Sequence, residues 1–189
     1  MSKLPDLRKS VVLVGMMGAG KTSVGRILAG KLDLPFVDAD AEIETAAQST
    51  IEEIFARDGE AAFRSGERRV IARLLDGPVA VIATGGGAFM NPETRARIAE
   101  HGVSIWLRAD IELLLKRVAR RKDRPLLKTG DMRETLARLL AEREPVYAEA
   151  DVTVDSGEQS AELVADKVMA ALAEHLAAHP ATTNAGAAS

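Results

Sequence analysis

Gly15-Met16-Met17-Gly18-Ala19-Gly20-Lys21-Thr22 fits the pattern G-x-x-x-x-G-K-[ST], and the chemistry of that pattern is the binding of nucleotide phosphates. Glycines let the backbone curl with its N–H groups turned toward an anion and no Cβ in the way. A helix opening near Lys21 adds the positive end of its dipole at the same point. Lys21 supplies a mobile cation for the β- and γ-phosphates, and the Thr22 hydroxyl can ligate Mg²⁺. The candidate nucleotide contacts are therefore Gly18, Ala19, Gly20, Lys21, Thr22 and Ser23. A glycine-rich turn with a solvated lysine would use the same residue types. With average residue usage, however, four fixed positions match in a chain of this length only about one time in a hundred.

Further groups have types and spacings that suit work on a phosphoryl group. Asp38 and Asp40 follow a short strand pattern, and alternation along a strand would put both carboxylates on one side. One could help hold Mg²⁺ and the other accept a hydroxyl proton; a helix N-cap plus a first-turn acid would look the same. Gly85-Gly86-Gly87 follows an apolar run, so either a ligand lies against that backbone or the chain turns tightly there. Arg64, with Glu60 before it and Glu67 after it, reads by itself as a solvated surface pair. Arg143 reads as a helix C-terminal charge. Arg120, Arg121, Lys122 and Arg124 make a basic, turn-rich segment that suits a lid closing on phosphates, although a bare charge run is also what a solvated loop looks like.

The elements that must position these residues follow from periodicity. Apolar runs at Val11 to Val14, Pro35 to Asp38, Val79 to Ala83, Val103 to Leu107 and Asp151 to Val154 read as strands. Helical patterns cover Lys21 to Lys31, Ile111 to Val118, Met132 to about Glu144 and Ala161 to Leu176, with another opening at Asn91-Pro92. Thr50 and Glu53 form a capping box, and Gly59 breaks the helix they start. A longer helix follows through Phe63, Val70, Ile71, Leu74 and Leu75. Alternating strands and helices predict a parallel sheet covered on both faces, with ligands at the carboxyl ends of its strands. The phosphate loop, Asp38-Ala39-Asp40 and the three glycines all fall at such ends.

A chain of 189 residues suits one domain, expected over residues 11–176, with flexible ends at 1–10 and 178–189. The net charge of −3 speaks against a general nucleic-acid binder, and the absence of cysteine removes thiolate chemistry. No apolar run approaches the ~20 residues needed to span a bilayer, so a cytoplasmic protein without membrane partners is expected. Trp106 sits in a strand pattern and is expected in the core, and no role falls to His101, His175 or His179.

Taken in order, these segments resemble the shikimate kinase family, within the nucleoside-monophosphate-kinase-like phosphate-loop proteins. The resemblance runs from about Val11 to Leu176 and is carried by the phosphate loop, Asp38-Ala39-Asp40 and Asp58-Gly59-Glu60-Ala61-Ala62-Phe63-Arg64. Thr84-Gly85-Gly86-Gly87, Arg124-Pro125-Leu126-Leu127 and Arg143-Glu144-Pro145-Val146-Tyr147 complete it. It implies a three-layer α/β/α phosphate-loop kinase fold with a five-stranded parallel sheet and a short lid at about 120–130. The implied activity is transfer of the ATP γ-phosphoryl to the 3-hydroxyl of shikimate, in chorismate and aromatic amino-acid biosynthesis, with ATP and Mg²⁺ as cofactors and a monomeric enzyme. By the same resemblance Asp40 binds the substrate hydroxyls and is the base, and Asp38 joins Thr22 around Mg²⁺. Arg64 and Arg143 grip the substrate carboxylate, Gly86 and its neighbours Gly85 and Gly87 contact the substrate, and Arg124 reaches the phosphates alongside Lys21. The adenine would lie near Asp155 to Gln159. This reverses the surface readings of the two arginines, since paired guanidinium groups suit a carboxylate. Gluconate or a nucleoside monophosphate as acceptor, or a regulatory nucleotide binder without transfer, would share the phosphate loop; the paired arginines, the three glycines and Asp40 speak against them.

Overall fold

The computed structural model describes residue 4, residues 7–120 and residues 131–180. Five strands, β1 (Ser10–Val14), β2 (Phe36–Asp38), β3 (Val81–Ala83), β4 (Gly102–Arg108) and β5 (Val152–Asp155), form one sheet in the order β2-β3-β1-β4-β5. Every pairing is parallel. Around it lie α1 (Lys21–Leu32), α2 (Ala39–Ala47), α3 (Ile51–Asp76), α4 (Pro92–His101), α5 (Ile111–Val118), α6 (Met132–Tyr147) and α7 (Ala161–Ala178), with one 3₁₀ turn at Ala88–Met90. Val11 to Val14 are all fully buried, as a central strand covered on both faces requires. This is the expected α/β architecture.

Register brings the chemistry to one edge. Leu13 pairs with Ala83 and Val14 with Trp106, while Asp38 pairs with Ala83 from the other side. The segments that leave β1, β2 and β3 therefore depart at one level, side by side.

Several expected boundaries shift. Ser10 is already in β1 and buried, and α7 runs to Ala178, so neither belongs to a loose end. Leu4 and Leu7 also pack against the core. The strand at Asp38 stops there, because Asp38 caps α2: its Oδ1 accepts from the Asp40 and Ala41 amides at 3.0 and 3.3 Å. Asp40 is thus a first-turn helical residue, and strand alternation does not orient it. Gly59 interrupts α3 with φ 83° and ψ 173°, as expected of a break, and the Thr50–Glu53 capping box is formed. Ile43, Ile54, Phe63 and Val70 make a small second core under α2 and α3. Helix α6 continues past Glu144 through Pro145 to Tyr147. A proline inside a helix costs a hydrogen bond, and here full burial of the Tyr147 ring against Trp106 (centroids 5.8 Å apart) offsets it.

Candidate active site

The phosphate loop takes the predicted shape. Gly15, Gly18 and Gly20 have φ of 140°, 82° and 96°, a region closed to most side chains. Lys21, 8% exposed, curls back so that Nζ donates to the carbonyls of Gly15 and Met16 at 2.7 and 2.8 Å. Thr22 Oγ1 donates to Asp38 Oδ2 at 3.2 Å, joining the first turn of α1 to the end of β2. One hydroxyl and one carboxylate at this spacing fit Mg²⁺, which keeps several waters and takes its remaining ligands from phosphates. No group of three or more potential metal-ligating side chains occurs among the described residues, so an all-protein metal cage is not what this site offers.

Next to the loop opens a cavity of about 930 Å³. Gly18, Gly20, Lys21, Thr22 and Ser23 line one part of it; Asp38, Asp40, Arg64, Gly85, Gly86, Gly87 and Arg143 line another. Ala19 is buried, its carbonyl accepting from Ser156 Oγ at 2.8 Å, and does not line the cavity. Arg120 lines it too, but the rest of the expected lid, with Arg124, lies outside the described residues. Of the expected adenine stretch, Ser156 and Gln159 reach the cavity, whereas Asp155 is held outside by a two-point contact with Arg108 at 2.6 and 3.1 Å.

The three glycines explain the convergence. A Cβ on Gly85 would fall 2.8 Å from Asp40 Oδ1 and 3.2 Å from Glu67 Oε2; one on Gly86, 3.0 Å from Arg143 Nη1. On Gly87 it would fall 2.5 Å from both Nη1 and Nη2 of Arg64. The missing side chains make room for the protein's own polar groups. Neither guanidinium is solvated as a surface charge would be: Arg143 is 6% exposed, and Arg64 Nη1 donates to Glu67 Oε1 at 2.9 Å.

Three participants escaped the sequence reading. Glu67, taken there as part of a surface pair, is buried, and its Oε2 finds no hydrogen-bond partner among the described residues. Burial raises its pKa, opposed by Arg64 and Arg143 and reinforced by the nearby Asp40 charge. The Phe63 and Val70 stripe on the same helix is the sequence signal that could have placed position 67 inside. Arg117 ties the phosphate loop to the turn after β5, donating to Gly18 O at 3.1 Å and Gly157 O at 3.0 Å; burial lowers its pKa. Tyr147, fully buried, donates to the Gly86 carbonyl. Burial raises its pKa to about 12.

Known proteins resemble this chain in sequence and in fold. The shikimate kinase family matches residues 17–173. A shikimate kinase of Paramagnetospirillum magneticum is 59% identical over 168 residues, covering 89% of this chain and 86% of that one. The chain belongs to the shikimate kinase family. Among solved structures, a shikimate kinase from Acinetobacter baumannii in complex with shikimate superposes with a TM-score of 0.85 at 38% identity, over 88% of this chain and 93% of that one. A shikimate kinase from Bacteroides thetaiotaomicron gives 0.81 at 29% identity, over 87% of this chain and 98% of that one.

Because its pKa is raised, folded Glu67 holds its proton more tightly than the unfolded chain does, so ionising it costs stability at neutral pH. That cost disappears as pH falls through the raised value toward the ordinary 4.5. In Glu67→Gln the cost is absent at every pH. The melting-temperature difference, variant minus wild type, is expected to be more favourable to the variant at about pH 7.5 than at about pH 5. Thermal unfolding across that range checks it; a pH-independent difference contradicts it.

Proposed function

We propose that this protein transfers the γ-phosphoryl group of ATP to the 3-hydroxyl of shikimate, giving shikimate 3-phosphate for chorismate and aromatic amino-acid biosynthesis. The observation that carries the reading is the placement of Arg64, Arg143 and Asp40 around one three-glycine turn beside the phosphate loop. A relative solved with shikimate supports the choice of acceptor. Shikimate is a small ring carrying hydroxyls and one carboxylate. Two guanidinium groups from different helices hold the carboxylate and fix the ring, and the turn lets the ring approach the backbone.

Asp40 then receives the 3-hydroxyl. Its carboxylate orients that oxygen and takes its proton as the oxygen bonds to the γ-phosphorus and the bond from phosphorus to the bridging β–γ oxygen breaks. Lys21 leaves the carbonyls of Gly15 and Met16 for the β- and γ-phosphates, while Gly18, Gly20 and the start of α1 offer N–H groups to the same oxygens. Thr22 and Asp38 would hold Mg²⁺, which when bound would supply positive charge to the phosphates. Arg124 is assigned to the phosphates on the family resemblance. Positioning and charge supply most of what phosphoryl transfer asks of a protein.

We further propose a monomer in the cytoplasm. Leu163 is the exposed large hydrophobic among the described residues, and no described helix is long and apolar enough to cross a membrane. The net charge of −3 gives a nucleic acid little to bind.

ADP release measured against a panel of acceptors tests the reading: shikimate is expected to drive turnover, with gluconate and nucleoside monophosphates inactive. Turnover on gluconate instead, or ATP binding without acceptor-dependent turnover, overturns it. Arg64→Ala is expected to raise the shikimate KM and lower kcat/KM more than about tenfold, with ATP binding little changed. Asp40→Asn is expected to lose mainly kcat while keeping ATP affinity; a near-normal kcat would deny it the base role.

A further inference from the structure

We infer that Tyr147 is a positioning residue for the acceptor, its hydroxyl fixing the Gly86 carbonyl and thereby the three-glycine turn. The inference rests on the proposed shikimate reading. Tyr147 stands one helical turn after Arg143 on α6, so both side chains leave the same face of the helix and reach the same turn. The Tyr147 hydroxyl donates to the Gly86 carbonyl, and a Cβ on Gly86 would come 3.0 Å from Arg143 Nη1 and 3.4 Å from the Met17 amide nitrogen. Gly86 is thus the point where α6, the acceptor turn and the phosphate loop meet.

A planar peptide links the Gly86 carbonyl to the Gly87 N–H on its opposite side, so holding one fixes the direction of the other. Gly87 is the residue against which the Arg64 guanidinium rests. The aromatic ring is anchored as well: it stacks on Trp106 with ring centroids 5.8 Å apart, and Trp106 Cδ1 lies 3.4 Å from where a Gly15 side chain would start. A phenylalanine would fill the same volume without the hydroxyl. With a pKa of about 12, the hydroxyl keeps its proton and remains a donor throughout the neutral range.

Tyr147→Phe removes that single hydroxyl and keeps the ring. Its shikimate KM is expected to rise about threefold to tenfold, with the ATP KM within about twofold of wild type. A merely structural tyrosine would shift the melting temperature and leave this split unmoved; an unchanged shikimate KM, or an equal rise in both constants, overturns the inference. Where the variant fails to fold, the wild-type sequence decides. Tyr147 is the single tyrosine of the chain, so biosynthetic incorporation of 3-fluorotyrosine gives one fluorine resonance. That resonance is expected to shift on titration with shikimate, and an unmoved resonance overturns the inference. Failure of wild type to turn over shikimate would end the kinase reading itself, whereas normal wild-type turnover with an unaltered Tyr147→Phe ends only the positioning role.

Discussion

At Gly86 the turn after β3 meets the phosphate loop so closely that a side chain there would sit 3.4 Å from the Met17 amide and 3.7 Å from the Gly15 carbonyl. This contact sets the separation between the phosphates and whatever lies on the acceptor side. It follows from sheet order: β1 and β3 are parallel neighbours, and they end together because Thr84 reaches across. Its amide and hydroxyl both donate to the Leu13 carbonyl, at 3.1 and 2.9 Å. Strands adjacent in space but 70 residues apart in sequence (the Ser10–Ala80 bond spans that separation) thus carry the two halves of the reaction. In phosphoryl transfer, where positioning is much of the catalysis, such a fixed spacing is worth a great deal.

Charge on the acceptor side is balanced before any ligand arrives. Arg64 and Arg143 face Asp40 and Glu67 across the glycine turn, and buried charges are tolerated only when paired and hydrogen-bonded. Glu67 occupies Nη1 of Arg64, while Nη2 lies 3.5 Å from the exposed Glu60. The guanidinium is therefore held in orientation from one edge. Arg64 and Arg143 both line the cavity, so a carboxylate bound there as proposed would meet groups already ordered, at a lower cost of binding. Burial raises the pKa of Glu67, and the arginines of this arrangement oppose that rise.

The phosphate loop was legible in the sequence because local backbone chemistry dictates it: glycines where φ is positive, then a lysine and a hydroxyl at the head of a helix. Strand and helix types followed from apolar periodicity in the same way. What stayed hidden was whatever depends on long-range packing. Glu67 lies between Phe63 and Val70 on the inward stripe of α3, a local hint of burial, but its closeness to Gly85 in the turn after β3 is a long-range contact that leaves no mark in the sequence. Arg64 and Arg143 looked like surface charges until they were set in the family's order of motifs. The helix expected to end at about Glu144 continues through Pro145, and the buried Tyr147 lies in its last turn. Asp40 was expected to face the cleft through strand alternation; it lines the cavity, but the Asp38 cap and the first turn of α2 place it there.

The central claim is that two guanidinium groups beside the phosphate loop recognise the carboxylate of the acceptor. Steady-state kinetics with shikimate and with its methyl ester, under the same ATP and Mg²⁺ concentrations, test it most directly. The ester keeps the ring and every hydroxyl but loses the negative charge. The account predicts that kcat/KM for the ester falls more than about tenfold below that for the acid, while the ATP KM is unchanged. An ester turned over as efficiently as the acid would contradict it.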